Sequence, residues 1–270
     1  SVVFIVYAMT AGASVGELFI AGIIPGLILA ALFIGYIVIA TWIKPEMAPA
    51  APEEDRNIPL KQKLALLKGL IMPGLLAFVV LGSIYAGVAT PSEAAIINRR
   101  LNLTMIKNAL AETVKISSML AWLFFGAQTI IGVYTLAGGD KFVQNAVMAL
   151  PFGKWGIIIG MQLIMIFLGM FLDWIGIVLL TMPLFIPIIE DLGFNIVWFG
   201  VVFCMNMHIS YLSPPFGPSI FYLKSVVGDE VSVGRIYKAN LRYLWLTFVA
   251  LALTVAFPNL SLWLPSLMAK

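Results

Sequence analysis

A cluster of prolines interrupts one of the long apolar stretches of this 270-residue chain. Pro214, Pro215, Gly217 and Pro218 fall within five positions of a mainly apolar stretch that runs over residues 196–223. Each proline lacks a backbone N–H, and its ring collides with the carbonyl one turn earlier, so no regular helix continues through the segment. In hydrocarbon, each unpaired backbone group costs several kcal/mol, and a break is tolerated only inside protein or beside a cavity. The break is therefore a predicted ion or substrate site.

The composition places this break in a membrane. Hydrophobic residues make up 61% of the chain and charged residues 11%, and the mean hydropathy is +1.03. Several apolar stretches exceed the roughly 20 residues that cross a bilayer as a helix. The predicted fold class is therefore an all-α polytopic membrane protein. The net charge of +3 is concentrated in loops, where basic residues indicate membrane topology, so it gives no reason to expect a nucleic-acid partner.

A single cysteine and a single histidine exclude a disulfide framework and leave no cluster for zinc. Cys204 and His208 both lie inside an apolar stretch, and we expect both to be packed helix residues. The sequence also lacks the zinc-protease, serine-hydrolase and nucleotide-binding motifs, so the chain is not predicted to be an enzyme.

A weak internal repeat relates the two ends of the chain. Residues 1–9 align without gaps on residues 219–227, and the same offset of 218 carries Ser14 onto Ser232, each followed by Val-Gly. The two polar loops of the repeat are expected on opposite faces of the membrane, as in the inverted repeats of secondary transporters. By this register, a counterpart of the break at residues 213–218 is expected just before Ser1.

Three regions follow from this alignment. Residues 1–43 are predicted to end the first repeat, residues 44–115 to form a linker, arm helices and a scaffold span, and residues 116–270 to form the second repeat. Near Ala95 and Asn98, a helix start is followed too soon by basic residues, although basic loops flank the region on both sides. We expect a helix of roughly 20 residues to be missing there; the alternative is a short helix with a mixed topology.

Within the second repeat, residues 154–188 form two apolar segments separated only by Asp173 and Trp174. They are either two separate crossings or a re-entrant hairpin with Asp173 at its tip, and we favour the hairpin, followed by a broken helix over residues 195–227. Asp173 is the only acidic residue deep in an apolar context, where a charged side chain is functional by default. Its carboxylate suits Na⁺, whereas the alternative role is a helix cap at the membrane interface.

The proline break offers complementary chemistry. Ser213 supplies a hydroxyl, the carbonyls of residues 210–212 lose donors to the two prolines that follow, and the amide of Asn206 lies upstream. The helix that restarts near Gly217 directs its partially positive N-terminus into the protein, which suits an anionic substrate group. A purely structural proline kink is the alternative.

Taken together, these segments resemble the large membrane subunit (the DctM-like M subunit) of TRAP transporters, the tripartite ATP-independent periplasmic systems. The match covers essentially the whole chain, and in the family a first half with its own break stands upstream. The residues that carry the resemblance are Gly87-Val-Ala-Thr-Pro-Ser-Glu-Ala-Ala95, Gly169-Met-Phe-Leu-Asp173, Pro183-Leu-Phe-Ile-Pro187, Gly193-Phe-Asn-Ile-Val-Trp-Phe-Gly200, Asn206 and Ser213-Pro-Pro-Phe-Gly217.

The resemblance implies an elevator-type secondary transporter of the bacterial inner membrane that imports organic acid anions with Na⁺. It also implies two partners, a small membrane subunit (Q) and a periplasmic binding protein (P) that delivers the acid, and it favours 2-oxo acids or related acids over sialic acid. The alternatives are a proton-coupled or exchanging ion transporter of similar inverted-repeat fold and a non-transporting membrane scaffold. The implied Na⁺ ligands are Gly169, Asp173, Ser213, Pro214 and Gly217, and the implied substrate residues are Asn206, Ser210, Ser213, Pro215 and Ser219.

Overall fold

The computed structural model describes residues 2–47, 151–214, 217–228 and 231–268, with residues 59, 74 and 75 and scattered positions between 107 and 145. All the elements in the four continuous ranges are helices. They are α1 (Val2–Ala11), α2 (Val15–Ala21), α3 (Ile23–Ile43), a 3₁₀ helix (Pro45–Met47), α4 (Gly153–Gly169), α5 (Trp174–Asp191), α6 (Ile196–Leu212), α7 (Pro218–Val227), α8 (Val233–Ala256) and α9 (Asn259–Ser266). The predicted scaffold span is described only at residues 74 and 75, and the crossing expected between Ala95 and Asn98 lies outside the described residues. The apolar segments over residues 116–150 are described only at scattered positions.

The helices have the length and composition of a membrane protein. Among the described residues, three segments are long and apolar enough to cross a bilayer: Val15–Ile43, which combines α2 and α3, then α5, and α8. Helices α1, α4 and α6 are also apolar but have only 10 to 17 residues, fewer than the roughly 20 that a full crossing needs. The prediction of an all-helical membrane protein is confirmed at this level, whereas the re-entrant hairpin and the inverted repeat stay predictions.

The chain divides into two compact units. One contains residues 1–33 and 112–270, and the other contains residues 34–111. In the continuous stretches that the structure describes, the second unit contributes only the end of α3 and the 3₁₀ helix, where apolar side chains such as Ile39 and Trp42 are exposed. All the packing and cavities described below belong to the first unit.

Helix α6 is the centre of the first unit. It contacts α1, α2, α4, α5, α7, α8 and α9, and 13 of its 17 residues are buried. Its sequence is apolar on every side, and a helix with that pattern is stable only when protein or lipid surrounds it completely. The other helices therefore pack around α6, and the chain break at its C-terminal end lies against the core of the unit.

Two long-range hydrogen bonds fix the other end of α6. The Tyr7 hydroxyl of α1 donates to Ile196 O at 2.8 Å, and the Trp198 indole Nε1–H donates to Thr254 O of α8 at 2.9 Å. Both side chains are fully buried, so each bond also pairs a polar group that would otherwise be unsatisfied in the core. The N-terminal end of α6 is thus held between α1 and α8.

Two helix starts that the predicted repeat aligns have similar backbone geometry at their N-caps. Helix α2 begins at Val15 and α8 begins at Val233, an offset of 218 residues, and the serine before each helix, Ser14 or Ser232, has extended N-cap geometry. The hydroxyl of Ser14 accepts a hydrogen bond from Glu17 N, as capping serines do. Ser232 makes no side-chain cap hydrogen bond to α8, so the two helix starts share their backbone geometry and not their cap.

The apolar segment over residues 17–43 contains Pro25 and is interrupted just before it. Helix α2 ends at Ala21, and α3 starts again after Gly22. Pro25 has no N–H to donate to Ala21 O, which weakens the helix at this turn. Any side chain at Gly22 would overlap the Phe4 ring, so the interruption also lets α1 approach closely.

A glycine in α6 tests whether α1 and α2 must pack this closely on it. Any side chain at Gly200 would overlap Tyr7 and Leu18, both fully buried. We therefore expect Gly200→Ala to destabilise the protein by about 1–3 kcal/mol, the usual cost of overpacking a core. The matched control is Gly160→Ala in α4, where a methyl group meets open space and helix propensity improves. Thermal unfolding in detergent should separate the two variants, and equal stability would contradict this account of the packing.

Candidate ion and substrate site

The expected break in the helix is present between α6 and α7. Helix α6 ends at Leu212, Ser213 has extended geometry (φ −86°, ψ 139°), and α7 begins at Pro218. Pro214 is exposed, and Pro215 lies outside the described residues. The chain therefore leaves the helical path at the first residue before the two prolines, as the steric rule for residues preceding proline predicts.

Hydrogen bonds at the break replace part of what the prolines remove. The Ser213 hydroxyl donates to Ile209 O at 2.8 Å, Ser213 N donates to Ser210 O at 3.2 Å, and Gly217 N donates to Ser213 O at 2.9 Å. The helical donor for Tyr211 O would be residue 215, which is a proline and has no N–H. The hydroxyl of Ser213 is thus engaged with the backbone.

Backbone oxygens converge beside Gly217. A side chain at this position would press on the carbonyl oxygens of Tyr211 and Ser213, each 3.0 Å from where its Cβ would lie. A glycine at this position therefore favours the close approach of the start of α7 to the end of α6. The break therefore presents carbonyl oxygens at the junction of the two half-helices.

The hairpin of α4 and α5 places Asp173 at its tip. Helix α4 ends at Gly169, and Asp173 is the N-cap of α5, where its Oδ2 accepts a hydrogen bond from Ile175 N at 3.3 Å. The side chain is exposed. Asp173 thus has the capping role that the sequence analysis gave as the alternative to an ion site. The cap uses only one acceptor position, and a carboxylate has further lone pairs with which to bind a cation.

A small cavity, the tip cavity, joins the hairpin tip to the end of α6. Its volume of about 10 Å³ is about what one water molecule or an ion of similar size needs. The side chains or backbone of Gly169, Leu172, Asp173, Trp174, Ile177, Met207, Ser210 and Tyr211 line it. Three of the predicted site residues, Gly169, Asp173 and Ser210, therefore meet at one place.

The contact between Gly169 and Ser210 explains why the tip comes so close. Any side chain on Gly169 would overlap the Ser210 hydroxyl and Cβ. Ser210 is buried, and its hydroxyl lies 3.4 Å from Asn206 O of its own helix. A glycine at the end of α4 is thus what allows the tip to reach α6.

Asn206 holds the hairpin and lines neither cavity described here. It is fully buried, and its Nδ2 donates to Gln162 O at 3.0 Å and to Gln162 Oε1 at 2.8 Å. Asn206 Oδ1 and Gln162 Nε2 are buried without a hydrogen-bond partner among the described residues. The sequence analysis did not identify Gln162 as a structural residue. Its signal would have been that it is the one amide side chain in the otherwise apolar sequence of α4.

A second, larger cavity, which we call the anion cavity after the substrate proposed for it below, also has Tyr211 on its wall. It has a volume of about 400 Å³, within the range of small-molecule sites. It is lined by apolar residues of α1, α3 and α6 and by the polar side chains of His208, Tyr211, Ser219 and Thr247. Ser219, a predicted substrate residue, therefore lies here and not at the tip cavity. His208 was expected to be packed but is exposed and faces this space.

The two cavities have a common wall. Met207 and Tyr211 line both of them. Among the described residues, no group of three or more His, Cys, Asp or Glu side chains lies close enough to hold a metal ion. A cation at the tip cavity would therefore depend on a single carboxylate together with hydroxyl and backbone oxygens.

The chain matches one family model over almost its full length. Residues 1–260 match the DctM component of tripartite ATP-independent periplasmic transporters. It is 30% identical to the C4-dicarboxylate TRAP transporter large permease protein DctM of Pseudomonas aeruginosa over 98% of this chain and 63% of that protein. It is 28% identical to the sialic acid TRAP transporter permease protein SiaT of Haemophilus influenzae over 99% of this chain and 44% of that protein.

A third relative has a different named substrate. The isethionate TRAP transporter permease protein DctMQ of Oleidesulfovibrio alaskensis is 25% identical over 94% of this chain and 41% of its own length. This chain thus spans less than two thirds of the length of each of these relatives.

The close contact at the hairpin tip can be tested by a pair of substitutions. We expect Gly169→Ala to lower thermal stability by about 1–3 kcal/mol, because the new methyl group overlaps Ser210. Ser210→Gly removes both overlapping atoms, so the double variant should regain most of that loss. Thermal unfolding of the wild type, both single variants and the double variant gives the coupling energy directly. Strictly additive effects would mean that Gly169 and Ser210 are not in contact.

Proposed function

Because the chain belongs to the family of the DctM component of tripartite ATP-independent periplasmic (TRAP) transporters, we propose that it is part of the large membrane subunit of a Na⁺-coupled importer of organic acid anions. Its proposed place is the bacterial inner membrane. Its proposed partners are a small membrane subunit and a periplasmic protein that delivers the acid. The observation that carries the proposal is the tip cavity, where the Asp173 carboxylate meets the end of α6 just before the helix break.

The proposed ion is Na⁺, and the proposed site is the tip cavity together with the adjoining break. A hard cation prefers oxygen ligands, and this region offers the Asp173 carboxylate, the Ser210 hydroxyl and the carbonyl oxygens beside Gly217. The cavity volume matches a single small ion. Helix breaks with unpaired carbonyls are also how secondary transporters coordinate Na⁺ at membrane depth.

The proposed substrate is an organic anion bound in the anion cavity. The three relatives are named for C4-dicarboxylate, sialic acid and isethionate, and these compounds share an acidic group that is ionised at neutral pH. The cavity has room for a molecule of this size, and Ser219 and Tyr211 supply hydroxyl groups on its wall. The cavity therefore fits a small organic acid.

The proposed mechanism couples the two cavities by charge and by their common wall. Na⁺ at the tip offsets the negative charge of Asp173, so the anion that follows meets less repulsion. The difference in anion affinity with and without Na⁺ is what couples the two fluxes. In the last step of the proposed mechanism, an elevator motion of the inverted-repeat fold carries the two occupied cavities across the membrane.

Uptake into proteoliposomes tests the function. We expect the complete system, with its small subunit and binding protein, to accumulate at least one of succinate, N-acetylneuraminate or isethionate when Na⁺ is present outside. Replacing Na⁺ by K⁺ should abolish accumulation, because the ion gradient supplies the driving force. Omitting the binding protein should have the same effect. Accumulation driven by a pH gradient in K⁺ medium would instead indicate a proton-coupled transporter.

A conservative change at the hairpin tip separates an ion ligand from a helix cap. Asn caps helices as well as Asp does, so Asp173→Asn keeps the cap and removes the charge. If Asp173 binds Na⁺, the Na⁺ concentration for half-maximal uptake should rise about tenfold or more, equivalent to at least about 1.4 kcal/mol.

The matched control for this variant is Asp191→Asn, which removes the same charge from the exposed other end of α5. It should leave Na⁺ activation unchanged. If Asp173→Asn also shows wild-type Na⁺ activation, then Asp173 is only a cap.

A further inference from the structure

The wall between the two cavities contains one hydroxyl group. Among the described residues, Tyr211 and Met207 line both cavities, and a thioether has no proton to donate. The Tyr211 side chain is half-buried, and its hydroxyl combines one donor with two acceptor positions. Tyr211 is therefore able to form a hydrogen bond with a group in either cavity.

Two residues of the hairpin tip act on this hydroxyl. The Trp174 side chain hydrogen-bonds to Tyr211, and Asp173 lies close enough for its charge to interact with the same group. An indole N–H only donates, so the Tyr211 oxygen accepts this bond, and its own O–H proton stays available for another acceptor. An ionised carboxylate only accepts. While the tip cavity holds no cation, the charge of Asp173 therefore attracts the O–H of Tyr211 towards the tip.

A substrate in the anion cavity brings a competing acceptor. The hydroxyl of Thr247, which also lines this cavity, already donates to Tyr243 O at 2.8 Å. The oxygen atoms of an ionised acid accept hydrogen bonds, and such a bond is about twice as strong as one between neutral groups. Asp173 and the anion thus compete for the single proton of Tyr211. A cation beside Asp173 offsets the pull of the carboxylate and leaves this proton to the anion.

We propose that Tyr211 couples Na⁺ to the anion: its O–H points towards Asp173 while the tip cavity holds no cation, and it donates to the acidic group of the substrate once Na⁺ is bound. The inference rests on the proposed function, in which the tip cavity takes Na⁺ and the anion cavity takes an organic acid. The phenol keeps its proton in both states, so only the direction of the O–H changes. Trp174 is a positioning residue, because its N–H holds the phenol oxygen at the common wall.

Ligand binding to the permease, purified with its small subunit in detergent, tests the role of Tyr211. Thermal unfolding is followed while succinate, N-acetylneuraminate or isethionate is added, in Na⁺ or in choline at the same ionic strength. In the wild type, the anion concentration for half-maximal stabilisation should be at least about tenfold lower in Na⁺ than in choline. An equal concentration in both media for all three anions would overturn the proposal.

Tyr211→Phe keeps the ring and removes the hydroxyl. We expect the anion to bind this variant about tenfold more weakly in Na⁺, the usual effect of losing one hydrogen bond to a charged group, and the effect of Na⁺ on the anion to fall below about threefold. Na⁺ alone should stabilise the variant at the wild-type concentration or below, because Asp173 loses a neighbouring O–H and no cation ligand. A variant that keeps the tenfold effect of Na⁺ on the anion would overturn the proposal, and so would one that loses its response to Na⁺ alone.

Two further variants complete the test. Tyr222→Phe removes a hydroxyl from an exposed tyrosine of α7 that lines neither cavity, and it should keep the wild-type effect of Na⁺ on the anion. Trp174→Phe removes the donor to the phenol oxygen and should weaken that effect about threefold. Added to Tyr211→Phe, it should weaken the effect no further, because Trp174 acts through the hydroxyl. If Tyr211→Phe does not fold, Trp174→Phe decides the question, and an undiminished effect of Na⁺ in it would overturn the proposal.

The two proposals fail in different ways. Na⁺-driven uptake by the wild type, together with a tenfold effect of Na⁺ on the anion in Tyr211→Phe, would overturn the role of Tyr211 and leave the proposed function standing. Anion binding that tightens with Na⁺ only when the Tyr211 hydroxyl is present, without any Na⁺-driven uptake, would do the reverse.

Discussion

Two consecutive prolines after α6 deprive the carbonyls of Ser210 and Tyr211 of their helical donors, and the rest of the unit is arranged around that deficit. Ser213 N compensates the first carbonyl at 3.2 Å, whereas the donor position for the second is occupied by Pro215. A helix with this defect is costly in lipid. Here α6 is buried along nearly its whole length, so neighbouring helices and not lipid surround it.

The features that the sequence predicts best are those determined by covalent chemistry at single positions. Prolines cannot continue a helix, so the break after Leu212 and the interruption near Pro25 follow from residue type alone. Asp173 at the start of α5 and Ser14 at the start of α2 follow from capping preferences in the same way. These positions depend little on what packs against them, and for this reason they are accessible without a structure.

The features that the sequence does not predict depend on the direction in which side chains of α6 point. Because this helix is apolar on every side, its periodicity selects no inner face. His208 and Asn206 lie two residues apart, which places them on different sides of a helix, and only the packing shows that Asn206 is buried while His208 is exposed. Predicting both from sequence would have required knowledge of where α4 sits. Gln162 is equally hard to predict from the sequence, because it matters only as the hydrogen-bond partner of Asn206.

The buried pair of Asn206 and Gln162 restricts how the hairpin attaches to α6. In the described residues, one amide oxygen and one amide nitrogen of the pair have no partner, and such a group costs about 1–3 kcal/mol. The two hydrogen bonds that the pair does make are lost if α4 slides along α6. Any other register between these two helices is therefore less stable. A hairpin attached in this way keeps its tip at Ser210, and the tip cavity keeps its shape.

The common wall of the two cavities determines what kind of coupling the proposed transporter is capable of. Tyr211 faces both spaces, so a cation in one and an anion in the other would attract each other across a single side chain, in surroundings that screen charge poorly. Coupling between bound ligands is reciprocal: an anion that binds more tightly because Na⁺ is present strengthens Na⁺ binding by the same factor. Neither ligand needs to touch the other.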